Sequence, residues 1–263
     1  MDRSTIIGIT IGILAIGLGM YLKGISFLAL INPAAILIIF LGTAASVLIA
    51  FPMSTIKKVP KLLKVIFSRH EQQDKELIQL FSEWADQSRK EGVLSLESKL
   101  TEIKDPFLTS GLQLAIDGQT PEFIRDVLLE KIYAMEKRHE EGIAVFTQAG
   151  TYAPTLGVLG AVLGLIAALA NIQDTTVLGE AISAAFIATL FGIFSGYVLW
   201  HPFANKLKEK SKREVLIKTI MIEGIVSITS GESVVVLRDK LSSYLSSEEL
   251  ATLKEDLNEE KAT

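Results

Sequence analysis

The sequence predicts an all-α integral membrane protein: four transmembrane helices in two hairpins plus a cytoplasmic helical domain. Three observations lead there. The 263-residue chain is 49% hydrophobic, with a mean hydropathy of +0.40, too apolar for an ordinary soluble protein. Charged residues still make up 21% of it, and they are segregated into stretches between long charge-free apolar runs. Strand periodicity is weak throughout, whereas apolar positions recur at helical spacing. The net charge of −4 points to no nucleic-acid partner. Cys is absent, which excludes disulfides and thiolate metal sites. His70, His139 and His201 lie far apart in sequence and suggest no metal centre.

In chain order, the opening MDRSTIIGITIGILAIGLGMYLKG lacks a small-x-small cleavage site and is long for a signal core. It reads as a retained first span over about residues 5–22. A short link leads to the second span, residues 33–51, where Pro33 after Asn32 suits a helix start. These two spans make the hairpin of residues 1–51.

Residues 52–142 form the expected cytoplasmic helical domain. It begins with a basic amphipathic interface helix over 53–69, with Ile56, Val59, Leu62, Leu63, Ile66 and Phe67 on one face and lysines on the other. Further on, Leu77, Leu80, Phe81, Trp84 and Ala85 make an apolar stripe that Gly92 should end. Asp105-Pro106 and Thr120-Pro121 each read as an N-cap followed by first-turn proline. Nothing breaks the second of these helices before Gly142, so it should run on toward the third span.

The second hairpin, residues 143–201, centres on TYAPTLGVLGAVLGLIAALA and AISAAFIATLFGIFSGYVLW. His201-Pro202 is read as its cytoplasmic stop. Residues 202–263 follow as C-terminal cytoplasmic helices and an acidic tail, with Ser233 capping VVVLRDKL. Lys57, Lys58, Lys61, Lys64 and Arg69 follow span two, and Lys206, Lys208, Lys210, Lys212 and Arg213 follow span four. The positive-inside rule then places both termini and the large loop in the cytoplasm.

What the spans lack is as informative as what they hold. No Asp, Glu, Lys, Arg or His lies inside any of them, yet proton and cation relays need an intramembrane ionisable group. The chain offers hydroxyls such as Thr155 and Thr189, so a partner must bring the carboxylate if ions are to pass. Gly157, Gly160, Gly164, Gly192 and Gly196, with neighbouring alanines, suit close helix approach. Spacing leaves open whether they meet a partner helix or only one another. Pro154 is either a static kink or a hinge, and Thr189 either lines a path or bonds back to its own helix. Arg89, Lys90, Glu91 and Glu97 would ordinarily be a solvated charged face. No clustered nucleophile, acid–base pair or phosphate loop marks an enzyme, and neither a catalytic residue nor a metal ligand is assigned.

NPAAILII, SRKEGVLSLE, DGQTPEFIRD, TYAPTLGVLGAVLGLI, AISAAFIATLFGI and GYVLWHPFANKLK, in this order, resemble the flagellar motor stator subunits of the MotA family. The resemblance spans all four helices and the loop. It implies a homopentamer in the bacterial cell membrane around a MotB-type single-span partner that carries the ion-binding Asp. It also implies a rotor protein, FliG, as the torque partner, with lipid around the ring. Pro154 and Pro202 match the prolines tied to coupling ion flow to movement, and Thr189 matches a path-lining hydroxyl. Arg89 and Glu97 match the rotor-contacting charges, with Lys90 and Glu91 beside them able to share or blur that role. Sodium-driven relatives tend to have Thr where this chain has Ala161. Fewer hydroxyl oxygens suit H+ better than Na+. The alternatives are a sodium-driven member, a TolQ/ExbB-type energiser and a non-conducting scaffold.

Overall fold

The computed structural model describes residues 3–68, 74–245, 247–248 and 250–252. Arg69, and most of the acidic tail, lie outside them. Helices account for the regular structure, and no strand occurs among the described residues. The helices are α1 (Arg3–Leu22), α2 (Pro33–Ala50), α3 (Val59–Phe67), α4 (Asp74–Glu91), α5 (Pro106–Ile116), α6 (Pro121–Ala170), α7 (Thr175–Thr229) and α8 (Val234–Ser242). Of these, α1, α2, α6 and α7 are long and apolar enough to cross a membrane. The chain divides into two compact units, residues 1–70 with 138–210 and residues 71–137 with 211–263.

In the first unit the caps follow directly from local sequence. Asn32 Oδ1 accepts from Ala35 N at 3.0 Å, and Pro33 supplies the first-turn φ of α2. Asp174 Oδ1 accepts from Thr176 N and Val177 N, which starts α7 immediately after the short turn that follows α6. The expected interface helix 53–69 is instead a single turn, Met53–Ile56, followed by α3. The break coincides with Pro60, which sits in the first turn of α3 and cannot donate into a continuous helix. Lys210 Nζ donates to the carbonyls of Val65 and Ser68, each at 2.6 Å, and so satisfies the C-terminal end of α3. Gly142 does not interrupt α6. A Cβ there would stand 2.7 Å from Leu62 Cδ1, so its role is to let α3 lie close.

Both α2 and α7 contain a π-helical segment, Leu37–Leu41 and Ser195–Trp200 respectively. The second corrects the reading of His201-Pro202 as a helix stop, because α7 continues through both to Thr229. The His201 N–H donates to Gly196 O, five residues back. The wider turn lets the helix take Pro202 without ending at the carbonyl its ring would otherwise strike.

The second unit is a helical domain built around one core of large apolar side chains. Phe81, Leu96, Leu112, Ile124, Leu128, Ile220, Ile225 and Leu237 are fully or almost fully buried in one core. Asp105 Oδ1 caps α5 through Phe107 N at 2.7 Å, Thr120 Oγ1 caps α6 through Phe123 N, and Ser233 Oγ caps α8 through Val236 N. Glu223 of α7 is buried and takes a bidentate hydrogen bond from Arg125 of α6, with Lys240 of α8 at 3.3 Å. The buried Asp74 carboxylate pairs with Arg213 through one oxygen, Oδ2.

Candidate functional site: the α6–α7 joint and the charged corner

Within the first unit α6 and α7 run antiparallel, in contact through residues with almost no side chain. A Cβ on Gly192 would lie 2.7 Å from Ala153 O and 2.8 Å from Gly157 Cα, so the two backbones touch there. Gly160 faces the Ala188 methyl, and Gly164 faces Ala185 and the Ala181 carbonyl. The small residues of spans three and four therefore serve the packing of this hairpin against itself. That settles the choice the spacing had left open for this face.

At the other end of the same ladder stands Pro154. Gly196, inside the π segment of α7, could not carry a Cβ: it would fall 2.7 Å from Pro154 Cγ and 2.8 Å from Gly150 O. Pro154 has no N–H to give to Gly150 O, its partner four residues back. The freed carbonyl thus points at the one stretch of α7 whose own hydrogen bonding is shifted. His201 lies over Gly150, with ring atoms 2.8 Å from where a Cβ would be. Pro154 and the segment that ends just before Pro202 consequently form one joint, with irregular backbone on both sides.

The remaining sequence-chosen residues fall on either side of that joint. Ala161 and Thr189 flank the Gly160–Ala188 contact, both half-buried. Thr189 Oγ1 donates to Ala185 O at 3.2 Å, the back-bond common for a membrane threonine. Thr155, which is exposed, does the same to Tyr152 O at 2.7 Å. Pro202 is exposed and lines an open cavity of about 360 Å³ with Ser4, Thr5, Gly8, Tyr197 and Lys206. Sequence reasoning missed Gly150 and the π segments. No residue-type signal marks a π turn ahead of time, although the pairing of Gly196 with a downstream proline is in retrospect the local clue.

In the second unit, Arg89, Lys90, Glu91 and Glu97 are all exposed around one corner. Gly92, with φ +86°, ends α4 in a conformation open to glycine. A 3-10 helix, Val93–Thr101, follows. The corner is fixed by Ser95 Oγ donating to Gly92 O at 2.7 Å, by Gln87 Nε2 donating to Ser95 O, and by Leu96 buried beneath it. Lys90 pairs with Asp86, whereas Arg89, Glu91 and Glu97 make no ion pair among the described residues. Charges presented this way, on a rigid corner and still fully hydrated, suit an electrostatic docking surface. The Arg125 bond holds the Glu223 carboxyl below the usual carboxylate range despite its burial, and Glu223 in turn raises the Arg125 guanidinium.

Residues 99–219 match the model of the MotA/TolQ/ExbB proton channel family, and residues 6–92 match the motility protein A N-terminal model. The chain is 58% identical to Motility protein A of Bacillus subtilis, over 93% of this chain and 91% of that protein. It is similar to a chain in the flagellar MotAB stator complex from Bacillus subtilis, with a TM-score of 0.91 at 56% identity over 95% of this chain and 99% of that one. For MotAB of C. jejuni the TM-score is 0.90 at 32% identity, over 94% and 97%.

Proposed function

The chain belongs to the MotA/TolQ/ExbB proton channel family and is a stator subunit of the flagellar motor, and from that premise we propose how it works. With a MotB-type single-span partner it forms an ion channel in the cell membrane. H+ is the permeant ion, both termini and the large loop are cytoplasmic, and copies of the chain assemble as a pentamer around the partner. The partner's Asp supplies the carboxylate that these spans do not contain.

One observation carries this reading. The hairpin's two apolar runs, 151–170 and 181–200, hold no Asp, Glu, Lys, Arg or His, yet the backbone is opened at a single joint, where Pro154 meets the π segment before Pro202. Neutralising the partner's carboxylate beside Ala161 and Thr189 changes the load on that joint, and α7 responds where its hydrogen bonding is weakest. Arg89, Lys90, Glu91 and Glu97 pass the movement to the rotor protein FliG by complementary charge.

The test is motility of a null strain supplied with this subunit and its partner. Pro154→Ala restores the missing hydrogen bond, so the complex should still be recovered from membranes while swimming stops. Normal swimming in that variant would remove the joint from the mechanism. With the unaltered pair, swimming should persist when Na+ is withdrawn and stop with a protonophore. The reverse outcome would assign Na+.

A further inference from the structure

Two polar atoms inside the first unit are buried without a hydrogen-bond partner among the described residues: Thr43 Oγ1 and Trp200 Nε1. Thr43 is only 3% exposed, in the second span, where leaving a hydroxyl or an indole N–H unsatisfied costs about 1–3 kcal/mol. Buried polar groups of this kind are ordinarily completed by ordered water.

The two groups are drawn together by the packing. Ile39, Thr43 and Val47 are spaced by four and share one face of α2. Ile39 belongs to a buried cluster with Ala35, Ala153 and Ala188, and Val47 to another with Val145 and Ala149. Trp200 packs against both clusters, so its indole bridges the two that flank Thr43. Each polar group also stands beside irregular backbone. Thr43 follows the π segment Leu37–Leu41 by one residue, and Trp200 closes the segment Ser195–Trp200. Such segments recur at functional sites.

We propose that Thr43 and Trp200 together bind a water molecule between α2, α6 and α7. The indole N–H donates to the water, and the water donates to Thr43 Oγ1. Its second hydrogen is left for a backbone carbonyl, which would give the three bonds typical of an internal water. A metal cation is a poor fit, because the site presents an N–H donor and no carboxylate. The bound water lets α7 shift at its π segment without stranding the indole, and it ties that shift to α2. This inference stands whether or not the chain conducts protons.

The experiment uses the full-length subunit with its partner, in which the tryptophans are Trp84 and Trp200. In a Trp84→Phe background, Trp200 fluorescence reports the site. Thr43→Val removes the hydroxyl at nearly constant shape, so emission should shift to shorter wavelength, and Thr43→Ser should return it. Unchanged emission in Thr43→Val would overturn the proposal. If Trp84→Phe does not fold, 5-fluorotryptophan in the otherwise natural chain serves instead. One of the two 19F resonances should carry an H2O/D2O solvent shift, and Thr43→Val should abolish it. If neither resonance has a shift that depends on Thr43, no shared water is bound.

Discussion

The same two helices, α6 and α7, are held together in two different ways along their length. In the first unit they meet backbone to backbone at Gly157 and Gly192, with no ion pair between their apolar runs. In the second unit they face each other through large side chains and the Arg125–Glu223 pair. The difference follows the solvent. Lipid gives apolar side chains no reason to leave it, so helices there associate by close van der Waals contact, which small residues permit. Water expels apolar surface at roughly 25 cal/mol per Å², so large side chains serve better, and a buried charge survives where bidentate partners meet it.

The comparison also separates what each region can do. A glycine seam with a proline-opened backbone can slide or reshape without breaking a charge pair. The second unit, held by its core and its ion pairs, presents Arg89, Glu91 and Glu97 on a corner fixed by hydrogen bonds.

The sharpest break comes from Gly192→Leu. Its side chain would have to enter the space of Ala153 O and Gly157 Cα, and backbone cannot step aside as a flexible side chain can. We expect loss of the intact complex from detergent-solubilised membranes and loss of motility. Recovery of a normal complex would mean the seam is looser than the contacts imply.

Next in size is Glu223→Ala, which leaves Arg125 and Lys240 without their shared acceptor. The cost should be about 2–3 kcal/mol, below the ~3–5 kcal/mol of a fully buried pair because both cations keep access to water. Thermal unfolding should show the second unit weakened while the apolar helices of the first resist. The same pair sets a pH dependence. Glu223 is held below its ordinary pKa in the folded state, so its contribution is present above the ordinary carboxylate range. It is lost as pH falls through the lowered value. Melting curves taken downward from neutral pH should therefore fall away once the pH drops below the ordinary carboxylate range, and less steeply in the Glu223→Ala protein.

The smallest effect belongs to Lys90→Ala. The Lys90–Asp86 pair is an exposed i,i+4 contact, and its loss should change stability by less than ~0.5 kcal/mol. Any larger change in torque than in melting temperature would assign Lys90 to the docking surface.

Much of this was legible in the residues. Asn32-Pro33, Asp105-Pro106, Thr120-Pro121 and Ser233 start their helices because a cap and the N–H it satisfies lie within three residues of each other. The absence of charge from the four spans was an equally local fact. Pro202 misled, since the stop rule assumes α-helical hydrogen bonding up to the proline, and the π segment changes that bonding just before it. Arg125–Glu223 joins residues 98 apart, and the Gly157–Gly192 seam joins opposite ends of a hairpin. Local sequence determined where the capped helices begin and which charges are missing. Tertiary structure alone decided which glycines touch, which carbonyl Pro154 frees against which turn, and which buried carboxylate finds its guanidinium, because those energies exist only once distant segments share a surface.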